Sequence, residues 1–521
     1  MTIRFHTFLL SVALLLLLNA CATSGPVAVD KPDSRRDRPA DTASSESDAA
    51  THQRLIQRDP SERSIEEVIE LSRQMDSYQP DLALEILRSL ESVPSGQLRV
   101  MIDSQVYDPE FTEWLELALL SRGLLSDQSA DQAAAQNWAD YHYGHVITQA
   151  NFAELISRYR RLFPVPARVA VLLPDEGGLA PAAKAIRDGI MSAYLDQPGG
   201  SVLRFYSSGD SNESTLAAYQ QARDDGATQI VGPLRAESAG VLASLENPGV
   251  PILLLNEPSE AKALEPAQKP FVNSLLLSQA EEAAAIAESA LIQNQKKVIL
   301  IVPDSAWGAR IETAFATRFE QGGGRISAIA RFNSAAEDYN DMLTRLLKID
   351  ESEQRKTDLQ ARLGITLHFE PSRRDDLDFI FMAASPEEGR ELKPLLRFHD
   401  AGDIPVYAMS RIFSGKLQNS FDQDLNGIVF PITRWQLQMA GSEAPALQSI
   451  RDGVFGNLYA LGQDAWRVLP WLPLMQKDPD LWYQGEIGEL RMQADGHLER
   501  EPAWAQFSAG QPIPYQWPAI P

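Results

Sequence analysis

The sequence predicts an α/β protein: two doubly wound lobes of mainly parallel sheet, preceded by a small all-α region. Three observations carry this. From Ala167 onward, short apolar runs alternate with helix-length amphipathic stretches, the rhythm of crossover units. Arg168–Leu173 and Lys297–Val302 are continuously apolar after their first residue, as strands buried on both faces are. Residues 61–164 lack such runs and place apolar residues only at helical intervals.

The first residues read as an address. Arg4 supplies a basic start, and Phe8–Leu18 is apolar apart from Ser11. That run is shorter than the ~20 residues a bilayer span needs, but it suits a signal segment. It ends in Leu18-Asn19-Ala20-Cys21, which resembles the bacterial lipobox, with Asn19 a less common residue there. The resemblance implies cleavage after residue 20, acylation of the Cys21 thiol and of the new amino terminus, and firm anchoring by three chains at ~0.8 kcal/mol per buried CH₂. Ala22 stands where Asp would retain a lipoprotein in the inner membrane, so the expected destination is the outer membrane.

Residues 21–60 form the expected tether. They are rich in Ser, Asp, Ala, Pro and Arg and nearly free of bulky apolar groups, so burial cannot offset the entropy of ordering them. As a coil, ~35 such residues span roughly 30–35 Å. In the region 61–164, Ser64 followed by Glu67 has capping-box spacing. Apolar faces follow at Ile65–Leu71, Leu82–Leu90, Phe111–Leu119, Trp138–Tyr143 and Phe152–Leu162. Their aromatics are expected to be core. Pro80–Leu90 resembles the second helix of a tetratricopeptide unit, without a full-period repeat around it.

The two-lobed region takes residues 165–521. Its first set of strands is expected at Arg168–Leu173, Val202–Tyr206, Gln229–Val231 and Val250–Leu255, with helices at Leu179–Leu195, Glu213–Asp224 and Ala236–Leu245 between them. The second has strands at Lys297–Val302, Ile326–Phe332, Asp378–Met382 and Ile404–Ala408. Its helices are expected at Gln279–Gln293, Ala309–Glu320, Tyr339–Ile349 and Pro386–His399. Gly322–Gly324 gives a strong helix stop.

Composition narrows the function. Asp and Glu outnumber Lys and Arg by 71 to 47, and the net charge of −24 argues against nucleic acid or an anionic membrane surface as a partner. A single cysteine excludes an intrachain disulfide. Neither a dinucleotide fingerprint nor a phosphate-binding P-loop occurs, and the motifs of zinc proteases and α/β-hydrolases are missing too. The seven histidines lack ligand spacing, so no catalytic residue, metal or cofactor is expected. Gly209-Asp210-Ser211-Asn212 resembles a serine-esterase block, but the nearest companion, Asp495-Gly496-His497, has the wrong spacing. It reads as a turn.

Ligands of doubly wound sheets sit at the carboxyl ends of strands. The candidate cleft residues are therefore Asp175, Gly177, Ser207, Gly232, Asn256, Asp304, Trp307, Ser410 and Arg411. Trp307 offers a stacking face, and Arg411 a partner for an anion.

Several segments together resemble the LppC family over Ala167 to about Gln511. They are Val169–Pro174, Ala185–Gly189, Ile230–Leu234, Pro251–Asn256, Arg374–Phe381 and Lys393–Leu396. The most specific are Pro405–Gly415 and Asp422–Gly427. The resemblance implies a type 1 periplasmic-binding-protein fold behind a tetratricopeptide-like domain. It also implies an outer-membrane lipoprotein that binds and allosterically activates a bifunctional class A penicillin-binding protein, promoting peptidoglycan synthesis. The helical region, ~100 residues, is short for the family. The alternative is a lipoprotein solute receptor for amino acids or similar small molecules, serving an importer.

Overall fold

The computed structural model describes residues 55–518, apart from 56, 126–129, 197–199, 260–270, 336–337 and 441–454. Cys21, the signal segment and most of the tether lie outside them.

Six helices open the described chain: α1 (Ile65–Arg73), α2 (Pro80–Leu90), α3 (Ser95–Asp103), α4 (Pro109–Gly123), α5 (Asp131–Tyr141) and α6 (Gln149–Arg160). The Ser64 hydroxyl accepts from the Glu67 amide while the Glu67 carboxylate accepts from the Ser64 amide at 2.9 Å, the expected capping box. Helix α3 was not expected, because only Leu98 and Met101 carry its apolar face. The aromatic expectation fails at the end of α5. Trp138 is core, but Tyr141 and Tyr143 are 84% and 99% exposed. The helix stops at Tyr141, so the rings beyond Trp138 leave the buried side.

The first lobe is built on β1 (Arg168–Leu173), β2 (Val202–Ser207), β3 (Gln229–Val231), β4 (Ile252–Leu254) and β5 (Val272–Ser274), all parallel in the order β2-β1-β3-β4-β5. Helices α7 (Ala180–Asp196), α8 (Asn212–Asp224) and α9 (Ala236–Ala243) connect them. Both faces of β1 are buried. Val169, Val171 and Leu173 enter one core and Ala170 and Leu172 the other, the two-residue period of a strand inside a sandwich of helices.

The second lobe repeats the plan. After α10 (Gln279–Ile292) come β6 (Lys297–Pro303), α11 (Ala306–Gln321), β7 (Arg325–Phe332), α12 (Asn340–Leu346) and α13 (Ile349–Leu363). They are followed by β8 (Phe379–Met382), α14 (Pro386–Phe398), β9 (Val406–Ala408) and β10 (Ile428–Ile432). The parallel part runs β7-β6-β8-β9-β10, the first lobe's order again. The single helix expected over Tyr339–Ile349 is two, broken where Lys348 turns left-handed at φ 60°.

Beyond Gly427 the sequence predicts no individual strand or helix, and there the chain returns to the first lobe. After α15 (Arg434–Ala440), α16 (Gly456–Arg467) packs on α7. A Cβ on Gly189 would stand 2.0 Å from the Tyr459 carbonyl oxygen, and one on Gly462 2.2 Å from that of Ile186. Only glycine at both places allows the two backbones to meet. Next come α17 (Leu472–Lys477) and an antiparallel sheet of β11 (Trp482–Gln484), β12 (Glu489–Met492) and β13 (Leu498–Glu501). Finally β14 (Ala503–Ser508) and β15 (Gln511–Pro514) cross back and extend the second sheet antiparallel beyond β10. The chain thus passes between lobes three times: after β5, after β10 and between β13 and β14.

The cores follow this routing. One continuous cluster joins the helical region (Trp114, Phe152, Tyr159), one face of the first lobe (Val171, Ile186) and the returning segment (Trp466, Leu472, Met475). The second lobe has its own pair of cores, one on each face of its sheet.

Candidate functional site

Folds of this kind bind ligands at the carboxyl ends of their parallel strands, where the candidate residues lie. On the first lobe, the Ser207 hydroxyl donates to the Asp175 carboxylate. That bond holds the Asp175 pKa below the ordinary carboxylate range. Gly177 (φ 79°) lies against Asp210, whose carboxylate occupies the space a side chain would need. Gly232 (φ 99°) is pressed onto the Leu172 carbonyl, which a Cβ would meet at 2.3 Å. The Asn256 side-chain amide donates to the Leu234 carbonyl at 2.8 Å, and its oxygen accepts from the Glu257 amide.

On the second lobe, the Asp304 side chain is exposed and its amide donates to the Phe332 carbonyl. The Trp307 indole N–H donates to the Gln279 side chain at 2.6 Å. The Arg411 guanidinium lies 4.9 Å from the Trp307 ring centroid, a cation–π pair. The Ser410 amide donates to the Glu282 carboxylate at 2.7 Å. The structure therefore brings together Asp175 with Ser207, and Trp307 with Arg411. No hydrogen bond or ion pair among the described residues links the first-lobe candidates to those of the second. Most of the side chains expected to greet a ligand already have partners within the protein.

The groups that do join the lobes lie behind these rims. Glu282, in the first turn of α10, is buried and receives both the Ser410 amide and the Arg500 guanidinium, the latter at 3.5 Å. Arg500 is buried on β13 and also donates to the Ile487 carbonyl. Burial raises the Glu282 pKa against the pull of Arg500, and burial lowers that of Arg500 against the pull of Glu282. Beside them, His497 Nδ1 lies 3.1 Å from the Ser274 hydroxyl and Nε2 lies 2.8 Å from the Glu281 carboxylate. Burial pushes the His497 pKa down, but the bond to Glu281 and the charges of Glu281, Asp495 and Glu499 win, and it is raised. The Ser274 amide also donates to the Gly496 carbonyl. Together these contacts pin β5 and the β12–β13 turn of the first lobe to the start of α10 in the second.

The esterase-like block is a helix start. The Ser211 hydroxyl accepts from the Ser214 amide and caps α8, while His497 is paired with Ser274 and Glu281. Sequence reasoning missed Glu282 and Arg500, which are 218 positions apart. Glu281-Glu282 reads as an ordinary acidic first turn that complements the helix dipole. The available signal was Arg500 on the same strand face as Leu498, where a charge needs a buried partner.

A model of the LppC putative lipoprotein family matches residues 48–510. The chain belongs to the LppC family. Among similar proteins is the penicillin-binding protein activator LpoA of Vibrio antiquarius, 25% identical over 408 residues, covering 76% of this chain and 66% of that one. The activator LpoA of Vibrio vulnificus is 24% identical over 462 residues, covering 85% and 74%. The chain thus spans about two thirds to three quarters of these relatives. Full-length LpoA from Haemophilus influenzae shares the fold with a TM-score of 0.54 at 18% identity, over 91% of this chain and 86% of that one. The C-domain of the same protein, described as a regulator of PBP1A, gives 0.53 at 20% identity over 67% of this chain and all of that one.

The LppC stretch that is most specific in sequence forms the connection from β9 to β10. Ile412 and Leu425 are buried there, and Arg390 holds the buried Asp422 at 2.7 Å. A Cβ on Gly389 would meet Ile412 at 2.4 Å. Pro405–Gly415 and Asp422–Gly427 thus close the second lobe's core.

Proposed function

We propose that this protein is a non-enzymatic lipoprotein that binds a bifunctional class A penicillin-binding protein and stimulates its peptidoglycan synthesis. Activation would be allosteric: the protein binds one state of the enzyme more tightly than another and shifts the population toward it. The observation that carries this reading is the family match over residues 48–510, which takes in the helical region and both lobes together. Relatives matched over 408 and 462 residues are named as activators of penicillin-binding proteins. The cleft supports it over the solute-receptor alternative, because its Trp307, Asn256 and Ser207 donors are engaged internally.

The proposal includes the anchor. Cleavage before Cys21 and its acylation, with Ala22 following, would hold the protein on the periplasmic face of the outer membrane. What supports this is the lipobox-like sequence and the absence, among the described residues, of any helix long and apolar enough to cross a membrane.

In-cell crosslinking followed by purification from detergent extracts tests the partner. A class A penicillin-binding protein should be recovered. Recovery of an importer permease in its place, with a melting shift on adding amino acids, would favour the receptor.

A further inference from the structure

A cavity of about 420 Å³ opens where the helical region meets the first lobe, away from the cleft. Its volume falls within the ~300–1,000 Å³ of small-molecule sites. The helical side contributes Ser157, Arg160 and Arg161, and the returning segment contributes Arg467, Trp471 and Tyr483. The cations differ in what already holds them. Arg160 is engaged by the Asp131 carboxylate at 2.6 and 2.7 Å and by the Leu124 carbonyl. Arg467 bonds Glu486 at 2.8 Å and Asp196 at 3.3 Å. Arg161 is exposed and donates one bond, to the Ser157 hydroxyl at 3.0 Å, with no acidic partner among the described residues.

Of the three guanidiniums on its wall, Arg160 and Arg467 are held by carboxylates, and Arg161 alone has none among the described residues. The smaller cavity by Arg168, Arg204 and Asp225 shows the ordinary case. There Asp225 accepts from Arg204 and Tyr206, and its backbone carbonyl from Arg168. The larger cavity is lined also by the Trp471 indole and the Tyr483 phenol, and Phe163 packs against Trp471 with ring centroids 5.2 Å apart. A guanidinium with free donors recognises carboxylate or phosphate, and the rings take an apolar flank.

We propose that this cavity binds a small organic anion, its carboxylate or phosphate on Arg161 and its apolar part on Trp471. The occupant would bridge the helical region and the first lobe. The inference is independent of the activator reading, since it concerns another face of the molecule.

Titration calorimetry of the full chain in detergent at low salt tests it, with 1-naphthoate, 1-naphthyl phosphate and the neutral 1-naphthamide as probes. At least one anion should bind with a Kd below about 1 mM and the amide should not. The tighter anion names the head group. Arg161→Gln, an exposed substitution, should weaken binding at least tenfold while leaving the circular dichroism spectrum and melting temperature unchanged. Trp471→Phe should weaken it less. Failure of both anions to bind, equal binding of the amide, or unchanged affinity in Arg161→Gln would each overturn the proposal.

Discussion

The two seams of this molecule are made of different materials. The helical region and the first lobe share one apolar core, in which Trp114, Tyr159, Ile186 and Trp466 belong to a single cluster. A charged pair inside it is enclosed and well bonded. Arg122 meets Asp478 at 2.6 Å, both nearly inaccessible. Asp478 also receives the Ser95 amide and hydroxyl, while Arg122 donates to the Leu90 and Val93 carbonyls. Among the described residues the seam between the lobes is largely polar. Beside Trp435 and Leu437 of α15 it holds the Arg434–Gln484 and Thr433–Asn457 bonds and the group of Glu282, Arg500, Glu281, His497 and Ser274. Apolar seams resist sliding because every displacement opens voids, whereas a joint of few polar groups holds only while each keeps its partner. The difference predicts that the joint between helices and first lobe is the stiffer of the two, and the joint between the lobes the more deformable.

Breaking the first seam should cost most. Asp478→Ala strands the Arg122 charge in the core and is expected to lose about 3–5 kcal/mol in urea unfolding, with amide exchange rising in α3. If stability stays within error of the parent, the common core does not depend on this pair. Gly462→Val, which drives a side chain into the Ile186 carbonyl, should cost about 1–3 kcal/mol and separate α7 from α16. A smaller effect is expected at the hinge. Glu282→Gln keeps an acceptor for the Ser410 amide but loses the charge facing Arg500, for about 1–2 kcal/mol. Its signature should be faster exchange at residues 274–282 and 498–503, with the helical region unchanged. Uniform loosening across the molecule would contradict a local joint.

The smallest effect is a pH dependence. The raised His497 pKa means that its pairing with Glu281 adds stability in full below the unfolded value of about 6.5. That contribution fades as pH rises through the higher folded-state value. Melting of the parent and of His497→Asn should therefore differ most at pH 5.5 to 6.5 and converge at alkaline pH. A gap that widens with rising pH would show the sign to be wrong.

The legible parts of this fold were those whose information is local. Arg168–Leu173 and Lys297–Val302 announce buried parallel strands by themselves, and Ser64 with Glu67 announces a helix start. What escaped depends on distant chain. Nothing near Gly462 says that its backbone meets Ile186, and nothing near Asp478 says that it caps a helix beginning at Ser95. The C-terminal strands β11–β13 are short, with half-exposed alternation such as Glu489–Met492, so they lack the apolar runs that marked the others. The loop positions that follow the strands were legible, and the candidate residues were chosen from them. The charges that join the lobes were not, because Glu282 and Arg500 acquire their meaning only when the third crossover lays β13 beside α10.

The most direct measurement is peptidoglycan polymerisation and crosslinking by a purified class A penicillin-binding protein, with and without the full chain in the same detergent. The account predicts a saturable rise in rate, with the joint between the lobes changing and that between helices and first lobe fixed when distances are read in the complex. An enzyme whose rate is unchanged at saturating protein, or a purified chain that itself turns over a substrate, would contradict it.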